Sequence, residues 1–222
     1  MLDALLEEAR QDENVIGIVV HGSRGRGLHI HEGSDWDVLV VVRERTGRYD
    51  SKHGDELEAF EVRSLADLPQ WMLPALTWTT PALDKTGEVT AQLAKVTTID
   101  PSTAAEPLDG YINCYYRSVK NARLGLQLAT LLDAQESIPH YLEFVFAVHE
   151  RVRPYDKWLE WELREHPLPV SVDLPRLERI ARTGDLDDQR ALFHETEPLA
   201  RKLGHGATVD GWESDFAWLR GH

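Results

Sequence analysis

Residues 15–42 have the sequence VIGIVVHGSRGRGLHIHEGSDWDVLVVV, in which two apolar runs flank a glycine-rich polar segment. Val15–Val20 and the run from about Trp36 to Arg43 are β-branched and apolar at almost every position. Such runs are typical of strands that are covered on both faces, whereas half-exposed strands alternate apolar and polar residues. The stretch therefore predicts two buried strands joined by a turn that begins at Gly22.

The rest of the chain predicts an α+β fold in two domains. A helix over Leu2–Arg10 precedes the first strand, and a third strand is expected over Glu56–Arg63. A turn-rich break at residues 97–102 ends this mixture of strands and helices, and the pattern beyond it is helical. We therefore expect a sheet-containing domain over residues 1–104 and an all-α domain over residues 105–222.

The helical half contains recognisable start and stop signals. Apolar residues at steps of four and three predict one helix face from Tyr115 to Ala129. Pro139 is expected to open the next helix, because proline is favoured in a first helical turn. Gly184 and Gly204 stand where glycines that end helices belong.

Composition restricts the function classes. The formal net charge is −14, and a long polyanion needs a basic face, so we expect no stable nucleic-acid binding. An acidic surface favours either a cationic substrate or simple solubility. No apolar run approaches the roughly 20 residues that span a bilayer, and the acidic N-terminus differs from a secretory signal. The single cysteine, Cys114, cannot form an internal disulfide. We therefore expect a cytoplasmic protein without membrane contact.

Asp35 and Asp37 occur at the start of the second strand, where residues two apart point to the same face. Two such carboxylates repel each other unless a cation or proton lies between them, and Mg²⁺ prefers carboxylate and phosphate oxygens. Gly22 would let the backbone approach an anion, and the Ser23 hydroxyl could donate to it. The alternative is a plain tight turn followed by a solvated aspartate pair.

These residues resemble a known signature. Gly22-Ser23, eleven further residues, and Asp35-Trp36-Asp37 before an apolar strand resemble the motif of polymerase-β-type nucleotidyltransferases. The resemblance implies a small mixed β-sheet flanked by helices, often followed by a helical domain. It also implies two Mg²⁺ ions held by the aspartates and an NTP, most simply ATP, whose phosphates lie on Gly22 and Ser23 with help from Arg24.

The family supplies a third carboxylate from the next strand, more often an aspartate than a glutamate. Glu56, Glu58 and Glu61 all lie on the expected third strand, with Glu56 and Glu58 on one face and Glu61 on the other. We predict that Glu58 is the third metal ligand, because it lies in the middle of the strand, and Glu61 is the alternative.

The resemblance also assigns residues in the helical half. Segments 116–121 and 153–157 are similar to uncharacterised and antibiotic-modifying bacterial members of the superfamily. They would bring Lys120 and Asn121 to the triphosphate, Tyr155 under the base and Lys157 to a phosphate, while Glu143 would be the general base. The alternative interpretation is a solvated helix face, an ordinary solvated glutamate and a corner at Pro154.

The sequence thus predicts a Mg²⁺-dependent nucleotidyltransferase that moves NMP from an NTP to a hydroxyl group. The expected partners are the NTP, an acceptor and a second copy of the chain in a homodimer. The acidic balance favours a cationic small-molecule acceptor such as an aminoglycoside. The alternatives are an enzyme that attaches AMP to protein, as antitoxins of this type do, and a nucleotide-binding sensor without catalysis.

Overall fold

The computed structural model describes residues 2–53, 56–215 and 219–220, and the chain divides into two compact units. The N-terminal unit is Met1–Thr98 and the C-terminal unit is Ile99–His222. Residues 99–104, which the sequence analysis assigned to the first domain, therefore group with the helical unit.

The N-terminal unit alternates strands and helices. In chain order its elements are α1 (Leu2–Gln11), β1 (Val15–His21), α2 (Gly22–Arg26), β2 (Trp36–Val42), β3 (Ser51–His53), β4 (Leu57–Val62), α3 (Leu73–Leu76), β5 (Pro81–Asp84) and α4 (Glu88–Val96).

The five strands form one mixed sheet with the order β3-β4-β2-β1-β5. β2 and β4 pair in parallel, and the other neighbours are antiparallel. One face packs against α1 and the other against α3 and α4, so apolar side chains of β1 and β2 are buried on both faces. This arrangement confirms the two buried strands, the mixed sheet and the α+β class.

The C-terminal unit is built from helices. In chain order they are α5 (Ala105–Arg123), α6 (Gln127–Ala147), α7 (Leu159–Glu165), α8 (Leu174–Thr183), α9 (Leu186–Lys202) and α10 (Gly206–Asp210). Their apolar faces surround a core with several large aromatic side chains, among them Tyr111, Tyr115, Phe144 and Phe193.

Two local predictions for this unit are wrong. The expected helix face from Tyr115 to Ala129 is interrupted, because α5 ends at Arg123 and Gly125 turns the chain with φ of 72°. Pro139 lies inside α6 instead of opening a helix. Buried residues on both sides of Pro139 hold the helix together, so tertiary packing outweighs the lost backbone hydrogen bond. The glycine stops at Gly184 and Gly204 are confirmed, with φ of 64° and 93°.

Candidate functional site

The turn after β1 brings the backbone close to the start of β2. Gly22 is buried, has φ of +68° and begins the short helix α2. A Cβ atom added at Gly22 would overlap the carboxylate oxygen Oδ2 of Asp37. Glycine is therefore required at this position for two reasons: the backbone is left-handed, and Asp37 occupies the space that a side chain would need.

Three carboxylates meet beside this turn. One carboxylate oxygen each from Asp35, Asp37 and Glu58 lies within 4.8 Å of the others, and none of the three side chains is buried. The strand register explains the cluster, because Asp37 on β2 is the direct partner of Glu58 on β4. Paired residues on neighbouring strands project to the same face, so the two carboxylates lie side by side.

Glu61 lies on the opposite face of β4 and has a different role. It is 1% exposed, and its carboxylate accepts hydrogen bonds from the backbone N–H groups of Thr46, Gly47 and Tyr49 and from the Thr46 hydroxyl. Burial alone would raise the pKa of the Glu61 carboxyl, but these donors outweigh burial and lower it. Glu61 therefore fixes the β2–β3 connection and is not a member of the carboxylate cluster. Glu56 precedes β4 and is exposed.

Arg24 joins the turn to the connection that precedes β2. Its Nε atom donates to the Ser34 carbonyl at 2.8 Å, and its guanidinium lies 4.7 Å from the centre of the Trp36 ring. These contacts order the backbone next to Asp35. Ser23 is half-buried within α2 and its carbonyl accepts from the Leu28 N–H at 3.0 Å, which closes the turn.

His21 is the last residue of β1 and the cross-strand partner of Asp37. The structure buries it to 8% exposure at the edge of the carboxylate cluster. Burial lowers the pKa of His21 to about 4, although the nearby Asp35 charge opposes this shift. His21 is thus neutral at neutral pH and adds no positive charge to the site.

In the C-terminal unit, three of the predicted nucleotide ligands contact other residues of the same unit. Asn121 donates through Nδ2 to buried Asp133 at 2.6 Å, whereas its neighbour Lys120 is exposed. Tyr155 and Lys157 both lie against Trp158, with a ring-centre distance of 5.3 Å for Tyr155 and a 4.7 Å distance from Lys157 Nζ to the ring centre.

Glu143, the predicted general base, is an exposed residue of α6. Its carboxylate lies 3.7 Å from Nη1 of Arg153 and 4.0 Å from Nδ1 of His140. Because this carboxylate is exposed, it is accessible to a ligand even with two basic side chains nearby.

A second cluster was missed by the sequence analysis. Cys114, Glu136 and His140 bring one potential ligand atom each to within 4.8 Å of one another. The spacing of Glu136 and His140, one helical turn apart, was a visible signal. Cys114 is 22 residues away from Glu136 in the chain, so only the pairing of α5 with α6 completes the cluster.

The donor set of the first cluster fits a hard divalent cation. Three carboxylate oxygens within 4.8 Å suit Mg²⁺, which binds through a few carboxylates and retains positions for water and substrate phosphates. Because Gly22 has no side chain, the Asp37 carboxylate can stay in the cluster.

Among residues 2–53, 56–215 and 219–220, the helices are all too short or too polar to cross a bilayer.

The N-terminal part of the chain matches a family model. The family model of the nucleotidyltransferase domain matches residues 2–74, about a third of the chain, and these residues include the turn, Asp35, Asp37 and Glu58. A search of curated proteins finds no match.

Proposed function

Because residues 2–74 belong to the polymerase-β-type nucleotidyltransferase superfamily, whose members transfer an NMP group, we propose a specific reaction for this chain. It moves NMP from an NTP, with ATP as the first candidate, to a hydroxyl group of a small cationic acceptor. The observation that carries this proposal is the cluster of Asp35, Asp37 and Glu58 beside the Gly22 turn.

The three carboxylates would hold Mg²⁺, which supplies charge neutralisation and a clamp for the attacking and leaving oxygens when bound. Backbone N–H groups of the turn that begins at Gly22 would bind the triphosphate, and the Ser23 hydroxyl would donate to a phosphate oxygen. Arg24 contributes positive charge from a position already fixed by Ser34 and Trp36. Positioning and charge, rather than covalent catalysis, would therefore supply most of the rate.

In the proposed reaction the acceptor oxygen attacks the α-phosphorus of the NTP. The bond from the α-phosphorus to the bridging oxygen breaks, and pyrophosphate leaves. Glu143 would take the proton of the acceptor hydroxyl. Lys120, Asn121, Tyr155 and Lys157 are proposed to bind the nucleotide, in addition to the local contacts of Asn121, Tyr155 and Lys157.

The acceptor class follows from charge. A net charge of −14 favours a cationic small molecule, such as an aminoglycoside, over RNA. A protein hydroxyl is the alternative acceptor, and a second copy of the chain is the proposed partner in a homodimer. The lone cysteine supports a cytoplasmic location.

The first experiment is calorimetric titration of the full chain with each NTP, with and without Mg²⁺. We expect binding that requires Mg²⁺ and that Asp37→Asn abolishes while circular dichroism shows an unchanged fold. NTP binding that is indifferent to both Mg²⁺ and Asp37 would contradict the transferase and favour a sensor.

The second experiment identifies the acceptor. The protein is incubated with Mg²⁺, an NTP labelled at the α-phosphate, and either a panel of aminoglycosides or a protein extract. Transfer of label to an aminoglycoside supports the proposal, whereas label that appears only on protein would replace it with protein modification.

A further inference from the structure

The second cluster lies between two antiparallel helices of the C-terminal unit. Cys114 projects from α5, and Glu136 and His140 project from α6 one helical turn apart, so both face α5. Cys114 is 3% exposed, Glu136 is exposed and His140 is intermediate. The thiol therefore forms the floor of a site whose other two groups reach solvent.

Space for the His140 ring is built into α5. Gly110 precedes Cys114 by one helical turn, and a Cβ atom added there would lie 2.8 Å from Nδ1 of His140 and 2.9 Å from Cε1. Any larger residue would push the imidazole away. The absence of a side chain at Gly110 thus allows His140 to lie against α5 beside the thiol.

Charged neighbours surround the cluster. Glu143 Oε2 lies 4.0 Å from Nδ1 of His140, so a further carboxylate adds negative charge beside the cluster, which favours a cation. Arg117 lies 3.6 Å from the Glu136 carboxylate, but both side chains are about half exposed and such a pair is weak. A bound cation would therefore compete with only a modest interaction.

We propose that Cys114, Glu136 and His140 bind a divalent metal ion of the Zn²⁺ class. Thiolate, imidazole and carboxylate are the three ligand types that Zn²⁺ takes in proteins, and three protein ligands leave a coordination position for water. This donor set differs from the three oxygens of the N-terminal cluster, which suit Mg²⁺. On binding, the metal replaces the thiol proton, which passes to solvent.

Without a metal, the thiol is a buried group beside a carboxylate. Burial, followed by the nearby Glu136 charge, raises the pKa of Cys114 to about 11. The metal-free side chain is therefore a protonated thiol at neutral pH and a poor nucleophile or redox sensor.

The test uses Co²⁺ as a spectroscopic probe on the full chain after treatment with a chelator and dialysis. Cys114 is the only cysteine, so a thiolate-to-cobalt charge-transfer band can arise from no other residue. We expect the band to saturate as Co²⁺ is added and to disappear when Zn²⁺ is added. The carboxylate cluster can also bind Co²⁺, but its oxygen ligands give no such band.

Variants separate the ligands from the fold. Cys114→Ser should abolish the band, whereas His140→Gln and Glu136→Gln should each retain the fold and weaken Co²⁺ binding by about tenfold or more. Gly110→Ala changes no ligand and favours the helix, yet it should weaken binding because it displaces the imidazole. His194→Gln, an exposed histidine of α9, is the matched control and should bind as the wild type does.

Absence of the band in the wild-type protein would overturn the site. The site would also be overturned if the Co²⁺ affinity measured from this band were unchanged in both His140→Gln and Glu136→Gln. Neither outcome depends on Cys114→Ser being folded.

Discussion

The two units each bring together three side chains whose potential metal-ligand atoms lie within 4.8 Å of one another, but by different means. The N-terminal cluster takes its carboxylates from the residue that precedes β2, from β2 itself and from its parallel neighbour β4, and all three donors are oxygens. The C-terminal cluster takes sulfur, nitrogen and oxygen from two helices. Similar spacing thus supports different chemistry, because the donor atoms decide which cation is preferred.

Each cluster also has a carboxylate three residues away that is fully engaged by the protein. Glu61 follows Glu58 and accepts backbone N–H groups, while Asp133 precedes Glu136 and interacts with Asn121 and Arg117. Donors of the protein therefore hold Glu61 and Asp133, whereas the clusters are formed by Glu58 and Glu136.

The largest expected effect separates Glu58 from Glu61. Glu58→Gln should reduce nucleotidyl transfer on the order of 10³-fold, because one of the three charges that hold the cation is lost. It should leave the thiolate-to-cobalt band intact, since that band reports Cys114. Initial rates of pyrophosphate release and the Co²⁺ spectrum measure the two sites. If Glu61→Gln lost as much transfer activity per folded molecule, the face of β4 that carries Glu61 would also contribute to the metal site, which would contradict the proposal.

A pair of glycines tests how the N-terminal cluster is positioned. Gly22→Ala should lower the rate of nucleotidyl transfer by about 10²-fold. The new Cβ would lie 2.4 Å from Oδ2 of Asp37 and would push this carboxylate away from the cluster. Gly27→Ala is the matched control, since φ is +70° there against +68° at Gly22 but no atom lies within 4 Å of the added Cβ. Equal losses of transfer in both variants would implicate backbone strain instead of Asp37.

Glu61→Gln should affect stability. The amide cannot accept all the hydrogen bonds that the carboxylate receives, so we expect a loss of about 1–3 kcal/mol in the free energy of unfolding. Urea denaturation measures it, and Glu58→Gln, on the same strand, should change stability by less. A stable Glu61→Gln protein would mean that the N–H groups of the β2–β3 connection find other acceptors.

Acid should also remove the contribution of the Glu61 carboxylate to the free energy of unfolding. The folded-state pKa of Glu61 lies below its ordinary value of 4.5, so its stabilisation is present above that value and is lost as the pH falls through the folded pKa. The difference in unfolding free energy between wild type and Glu61→Gln should therefore shrink below pH 4.5. A difference that stays constant down to the acid transition would contradict the lowered pKa.

The smallest expected effect separates two neighbours in α5. Asn121→Ala removes a donor to buried Asp133 and should lower the unfolding free energy by about 1 kcal/mol, whereas exposed Lys120→Ala should stay within about 0.5 kcal/mol. Thermal denaturation measures both. If Lys120 also meets the triphosphate, Lys120→Ala weakens NTP binding without this loss of stability, and unchanged NTP affinity would remove Lys120 from the proposed site.

Much of the N-terminal unit could be predicted from local sequence. The apolar runs of residues 15–42 identified two buried strands, and the spacing of Gly22, Asp35 and Asp37 indicated a metal and phosphate site. The choice among three glutamates could only be argued from strand position. The parallel register of β2 and β4 places Glu58 beside Asp37. Backbone N–H groups of the turn after β2 donate to the Glu61 carboxylate.

The C-terminal unit was less predictable. Pro139 is a local stop signal, yet packing on both sides keeps it within α6. Cys114 and His140 lie 26 positions apart in the chain and meet only because two helices pair. Sequence by itself therefore determined the α+β class, the buried strands and the aspartate pair, since these follow from periodicity and short-range spacing. Tertiary structure alone decided which carboxylates the protein's own donors occupy and which distant side chains share a site, because both depend on long-range pairing of strands and helices.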